Sequence, residues 1–377
     1  MLKIFIRLVP ILLIGFLFYT FGIKKDKHPK AIVEANIVSV YDWYGMLPPD
    51  VVTAFEKETG IRVRLDVFDN NEVLEAKLLA SNSGYDVVFP TASPYVSRQI
   101  KAGIYQPLNK ALLSNLKGLN AIIYEKMNII DPGLVYAIPY YWGTLGIAMD
   151  KDKVQKILPH ANLNHYDTLF KPENLAKLKT CGVSFLEEAT DVIPLILHYL
   201  GLPSDSETTE DLKAATDHLL KLRPSIRRFS SSRFINDLVL GDTCIAQAWS
   251  GEAQKAEEEA KELGRTIIYI VPEEGTTLWI DCIAIPVGAP HPTNAHRFIN
   301  FLLRPEIAAK ITNYSKIPTV IEASLIMVDN DLRQNKAIYP KPDLMKKLRL
   351  DAPQTSEKSL NYDRLRTKAW TMIRLNR

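Results

Sequence analysis

From residue 37 onward the apolar positions fall into short, regular groups. Ile37-Val38-Ser39-Val40-Tyr41 reads as a strand. Pro48-Pro49-Asp50 opens a helix through Val51, Val52, Phe55 and Glu58, and Thr59-Gly60 stops it. Residues 61–67 alternate apolar and polar, as a half-buried strand does. Asn70-Asn71-Glu72 caps a second helix that places Val73, Leu74, Leu78 and Leu79 on one face and ends near Gly84. Tyr85-Asp86-Val87-Val88-Phe89 predicts a third strand. Strand, helix, strand, helix, strand implies an α/β unit with a largely parallel sheet. In such a sheet ligands sit beyond the carboxyl ends of the strands. Those ends are Trp43-Tyr44-Gly45, Asp69-Asn70 and Pro90-Thr91-Ala92-Ser93.

The middle of the chain is more helical, with helical apolar spacing over 172–179, 191–200 and 210–223. Cys244-Ile245-Ala246-Gln247-Ala248-Trp249 predicts a strand that runs into a helix beginning at Ser250-Gly251-Glu252 and ending at Leu263-Gly264. A further strand group spans 279–286, followed by a helix over 296–303. The chain shows no internal repeat.

The N-terminus is different. Leu8 to Ile23 is a run of 16 residues without a charge, preceded by Lys3 and Arg7. It is longer than most signal-peptide cores and short of the roughly 20 residues that span a bilayer. Thr20-Phe21-Gly22 places small residues where cleavage after Gly22 needs them, and no Cys follows to carry a lipid. Two readings stay open: residues 1–23 are a signal peptide, or an N-terminal anchor tethers the protein through residues 4–23. Lys24, Lys25, Lys27 and Lys30 on the distal flank run against the positive-inside tendency in either case. Residues 24–36 read as a linker.

Length and charge narrow the class. The 377 residues are enough for two domains. Residues 1–30 carry six basic side chains against Asp26, a net of +5, which leaves −2 on the rest of a chain whose total is +3. A near-neutral body lacks the basic face of a nucleic-acid binder. No Gly-x-Ser-x-Gly elbow, phosphate loop, His-Glu-x-x-His or paired-Cys zinc spacing is present, so neither enzyme activity, nor a metal, nor a cofactor is expected. Of Cys181, Cys244 and Cys282, two can pair in an exported protein, and spacing does not say which.

Aromatic residues beside carboxylates at element ends supply the candidate chemistry. Trp43 ends the first strand. Trp249 lies three residues before Glu252, and Trp279 two before Asp281. Aromatic faces attract cations and carboxylates accept charge-assisted hydrogen bonds from ammonium groups. Any one of these tryptophans alone reads as core filling. Three such tryptophans, two of them beside carboxylates, together suit an amine with charged ends and an apolar middle.

Longer runs carry a family resemblance. They include Tyr41-Asp42-Trp43, Phe55-Glu56-Lys57-Glu58-Thr59-Gly60-Ile61, and Asp66-Val67-Phe68-Asp69-Asn70-Asn71-Glu72-Val73-Leu74-Glu75. Cys181-Gly182-Val183-Ser184-Phe185-Leu186, Phe301-Leu302-Leu303-Arg304-Pro305 and Arg364-Leu365-Arg366-Thr367-Lys368-Ala369-Trp370 continue the series. From Val40 to Trp370 the chain resembles the polyamine-binding proteins of bacterial ABC transporters, nearest to the putrescine-binding branch. The resemblance implies a two-lobed, type II periplasmic binding protein of α/β class. Each lobe is a central β-sheet flanked by helices, with the ligand in the interlobe cleft. It places residues 37–141 and 279–322 in lobe one, and 142–278 and 323–377 in lobe two. It implies a periplasmic monomer that delivers a polyamine to ABC permease subunits. The alternative on the same fold is a membrane-tethered amine sensor.

Carried over position by position, the resemblance implies a ligand site of Trp43, Tyr44, Thr91, Ser93, Asp191, Trp249, Glu252, Trp279 and Asp281. Asp191, Glu252 and Asp281 would accept the ammonium groups, and the tryptophans would form the walls. It also implies a Cys181–Cys244 disulfide. Three departures bear on which amine is taken. Gly45 stands where the family carries an aspartate, Ile317 where it carries a tyrosine, and Asp42 where it carries an asparagine. A strand neighbour such as Asp42 normally points away from the site. Carboxylates titrating near pH 4 predict an affinity that is flat near neutrality and falls in acid.

Overall fold

The computed structural model describes residues 34–80, 83–350 and 357–375. The N-terminal apolar run, with its reading as signal peptide or anchor, lies outside the described residues. Among the described residues no helix is long and apolar enough to cross a membrane.

Among the described residues nine strands make up the sheet: β1 (Ile37–Trp43), β2 (Arg62–Phe68), β3 (Val87–Val88), β4 (Ala137–Asp150), β5 (Val183–Phe185), β6 (Arg228–Phe229), β7 (Ile245–Trp249), β8 (Ile267–Ile270) and β9 (Leu278–Ala284). They lie in the order β2-β1-β3-β9-β4-β7-β5-β6, with β8 also paired to β4. β1 runs parallel to β2 and β3, joined through the helices Pro49–Thr59 and Asn71–Leu79. The first helix ends where Gly60 adopts φ +71°, a left-handed cap that a residue with a Cβ takes only with strain. Asn70 caps the second, its side chain accepting from Val73 N at 2.9 Å.

Two expectations change here. Leu74 and Leu78 are the buried face of the second helix, whereas Val73 and Leu79 are exposed. A single i, i+4 pair suffices because the helix covers only the rim of the sheet. β2 is the outermost strand, so Leu65 and Val67 both stay more than a third exposed despite their alternating pattern.

β4 organises everything else. All of its 14 residues are buried. Ala137 to Thr144 pairs antiparallel with β9, and Leu145 to Asp150 pairs with β7 and β8. One strand therefore serves two halves of the sheet, changing partners between Thr144 and Leu145. Beyond it, β7, β5 and β6 run parallel. The helices Ala189–Tyr199 and Thr209–Leu222 pack on each other, and Glu357–Leu375 packs against both. Trp370 anchors that last helix by donating its Nε1–H to the Glu187 carbonyl at 2.7 Å. The Cys181–Cys244 disulfide is present, across a sequence separation of 63, and ties the approach to β5 to the start of β7. Cys282 is free and buried in β9.

Candidate ligand-binding site

The site is built around Asp281. This residue lies mid-strand in β9, opposite Tyr141 of β4, and is 5% exposed. The chain leaving β3 brings Thr91 against it in an isolated antiparallel bridge. Thr91 Oγ1 donates to Asp281 Oδ1 at 2.6 Å. Asn71 holds Thr91 from the other side. Its Nδ2 donates to Thr91 Oγ1 at 2.8 Å, and its Oδ1 accepts from Thr91 N at 3.1 Å. Sequence reading treats Asn71 as part of a helix cap, but Asn70 performs the capping and leaves Asn71 free to reach the loop. The Asn-Asn doublet is the only signal of it in the sequence.

Burial pushes the Asp281 carboxyl up to about 7. The Thr91 hydrogen bond opposes that rise, and the negative charge of Glu252 adds to it. The expectation of ordinary carboxylate titration near pH 4 therefore fails at this residue, because the site removes water from it and places other acids nearby.

Asp42 adds a second buried acid. It is 0% exposed, and its Oδ1 accepts from the Trp43 backbone N–H at 2.7 Å. Its other oxygen is buried without a hydrogen-bond partner, as is the Tyr141 hydroxyl. Burial raises Asp42 well above the usual carboxylate range, the Trp43 N–H opposes this, and the Asp281 charge raises it further. Asp42 thus belongs to the same electrostatic group as Asp281. Trp43, half-buried at the end of β1, packs on Phe68 with ring centroids 4.5 Å apart. Tyr44 behaves differently: it is 76% exposed and stands outside the buried group. Gly45, at φ +74°, makes the turn that follows.

Trp279 pairs with Gly143 across β9 and β4. A Cβ on Gly143 would lie 2.2 Å from Trp279 Cζ2 and 2.6 Å from Ser250 Oγ, so the indole rests directly on the glycine backbone. Ser250 opens the helix Ser250–Glu262, and its Oγ accepts from Thr144 N at 3.2 Å. That contact fixes the helix start beside the strand crossing. Glu252 lies in the first turn, and burial raises its carboxyl while the Lys255 charge opposes the rise. Ile317 is buried against Gly251, where an added Cβ would lie 2.5 Å from Ile317 Cγ1. Trp249 precedes this helix in a T-shaped contact with Phe234, centroids 6.3 Å apart.

Asp191 sits in the first turn of the helix Ala189–Tyr199. Its backbone carbonyl accepts from Gln247 Nε2 at 3.0 Å. Its carboxylate is close enough for its charge to reach the Tyr95 hydroxyl, which donates to Glu72. Ser93 is half-buried two residues beyond Thr91. Charges interact between the two sheet halves at this end of the site: Glu72 with Glu188, and Arg98 with Asp363. The structure therefore joins Thr91 to Asp281 directly and brings Glu252 within electrostatic reach. It places Trp279 at the Gly143–Ser250 contact and leaves Tyr44 in solvent. Among the described residues none of Asp42, Glu252 or Asp281 is in an ion pair. The arrangement accepts hydrogen bonds and positive charge.

The crossed α/β sheet is that of a solute-binding protein, and the family comparison shows the class. Residues 50–338 match the family of bacterial extracellular solute-binding proteins, and the chain belongs to that family. More particularly, it is 43% identical to the putrescine-binding periplasmic protein SpuD of Pseudomonas aeruginosa, over 90% of this chain and 92% of that one. It is 41% identical to the putrescine-binding periplasmic protein PotF of Escherichia coli, over 90% and 92%. Among solved structures, a putative spermidine/putrescine ABC transporter protein from Listeria monocytogenes aligns with a TM-score of 0.78 at 27% identity. The alignment covers 91% of this chain and 100% of that one. These neighbours share the type II periplasmic binding protein fold.

Proposed function

We propose that this protein captures a short polyamine of the putrescine type between the two halves of its sheet and presents it to an ABC permease. The observation that carries this reading is the group Asp42, Glu252 and Asp281. These are three acids raised by burial; the charge of Glu252 raises Asp281 further, and the charge of Asp281 raises Asp42. Asp42 and Asp281 are buried carboxylates in no ion pair among the described residues, which is costly, and a cationic ligand supplies the missing charge. Trp43, Trp249 and Trp279 offer faces for the methylene chain and its ammonium ends. Asp191 takes the second ammonium, and Ser93 and Tyr44 lie at the rim. The named ligand of the putrescine-binding relatives supports the choice of diamine.

Capture follows from lobe closure. We assign 37–141 and 279–322 to one lobe, and 142–278 and 323–377 to the other. The change of β4 partners at Thr144 and Leu145 supports that division. A ligand that touches Asp281 on one side and Glu252 or Asp191 on the other binds the closed form more tightly than the open one, and only that difference drives closure. We infer that the protein is exported as a monomer. The N-terminal run is either cleaved or kept as an inner-membrane tether, which N-terminal sequencing of the mature protein decides. Titration calorimetry with putrescine, spermidine and spermine tests the ligand. Saturable heat from at least one supports the reading, and silence from all three at millimolar concentration removes polyamines as the ligand.

A further inference from the structure

We propose that Asn71 is a positioning residue for ligand capture. Its side-chain amide locks the Thr91 hydroxyl so that Thr91 always donates to Asp281 Oδ1, leaving Asp281 Oδ2 for an ammonium group. The inference deepens the polyamine reading and, in its last clause, rests on it.

The hydrogen-bond arithmetic is closed. A threonine hydroxyl has one proton to give. At Thr91 it goes to Asp281 Oδ1, at 2.6 Å. The hydroxyl's acceptor side is taken by Asn71 Nδ2 at 2.8 Å, and Asn71 Oδ1 is held by Thr91 N at 3.1 Å. One amide thus meets both a donor and an acceptor of the same residue, which fixes the amide's orientation. Flipped, it would oppose N–H to N–H and draw the Thr91 proton away from Asp281.

The frame behind Asn71 is rigid. The helix Asn71–Leu79 also grips the segment after Thr91: Tyr95 donates to Glu72, and Arg98 and Gln99 both donate to Glu75. Asn71 is the member of this row that reaches the acid through Thr91. The Glu252 charge, from the helix Ser250–Glu262, raises Asp281, and the Asp281 charge in turn reaches Asp42 on β1, the Tyr141 hydroxyl on β4 and the adjacent Cys282 thiol. All four are acids, so Thr91 makes the one bond here that favours the ionised carboxylate. A residue that enforces this bond therefore sets how much of Asp281 is charged and ready for a cation.

The test is the titration of the Asp281 carboxyl by ¹³C NMR in the ligand-free full chain, with putrescine affinity measured alongside. Asn71→Ala is expected to move the Asp281 midpoint up by about one pH unit. Asn71→Asp has the same shape as the native side chain and competes for the Thr91 proton; its added charge raises Asp281 as well, so only the part of its shift that Thr91→Val abolishes counts for the inference. It also keeps the test intact if the alanine variant does not fold. In a Thr91→Val background, Asn71→Ala is expected to add nothing. Glu75→Gln loosens the same helix from the same segment without touching Thr91, and is expected to leave the midpoint in place. An unchanged midpoint in folded Asn71→Asp, or the same shift with and without Thr91, overturns the inference. If the midpoint moves as stated but putrescine does not bind, the ligand reading fails and the role of Asn71 in holding Asp281 stands.

Discussion

Acidification tests the site most directly, because one group there titrates near neutrality. Asp281 is held at about 7 in the ligand-free protein. An ammonium group needs the ionised form, and once bound it pulls the carboxyl well below neutral. Binding therefore releases protons wherever Asp281 is still protonated. The sign follows: affinity falls as pH drops through the free-state value and is flat above it. With one group at about 7, apparent affinity is reduced by a factor of about 1.1 at pH 8, about 2 at pH 7 and about 11 at pH 6. The loss between pH 8 and 6 is thus roughly tenfold, or about 1.4 kcal/mol. Burial raises Glu252 and Asp42 in the same direction. Isothermal titration with putrescine in buffers of different ionisation heat reads both the affinity and the protons released. About half a proton is expected at pH 7 from Asp281 alone. An affinity that is constant from pH 8 to 6, or that rises on acidification, refutes the reasoning.

Other substitutions probe the same architecture. Asp281→Asn removes the acid whose ionised form burial disfavours; at pH 8 without ligand the variant is expected to melt a few degrees above wild type, while putrescine affinity drops by about 1.5–3 kcal/mol or more. A lower melting temperature would show that Asp281 stabilises the empty protein. Gly143→Ala drives a methyl into the Trp279 indole and Ser250. A destabilisation of about 1–3 kcal/mol and weaker ligand binding are expected, and wild-type behaviour in both would mean that the indole is not confined there. Opening the disulfide with Cys181→Ser and Cys244→Ser is expected to cost about 4 kcal/mol from the 63-residue separation, read by urea unfolding. A loss below about 1 kcal/mol would mean that the bridge removes little entropy from the unfolded chain.

The first strand–helix–strand units were legible because Pro49, Gly60 and Asn70 mark where the helices start and stop between short β-branched runs. β1 and the helix Pro49–Thr59 lie where the pattern puts them. β4 left no such trace. Every residue of it is buried, so the run from Ala137 to Met149 shows no alternation that would separate strand from core helix. β5 and β6 are only two or three residues long, too short for any period, while β3 falls inside the predicted run Tyr85 to Phe89. At the site, the tryptophan–carboxylate pairs were visible as neighbours in sequence. The bond between Thr91 and Asp281 was not, since 190 residues separate them. Asn71 was hidden by resembling a cap. The burial that lifts Asp281 out of the usual carboxylate range is a property of the assembled fold and of no local run.

The shared strand β4 also limits how this protein can be dissected. A fragment ending before Ala137 would keep β1, β2 and β3 but lose both β4 and the β9 strand that pairs with β3. A fragment starting after Thr144 would keep β7 and β8 on half a strand and leave β9 without its neighbour. Neither piece is a self-sufficient module, so grafting this specificity onto another scaffold means moving the whole crossing, not one side of it.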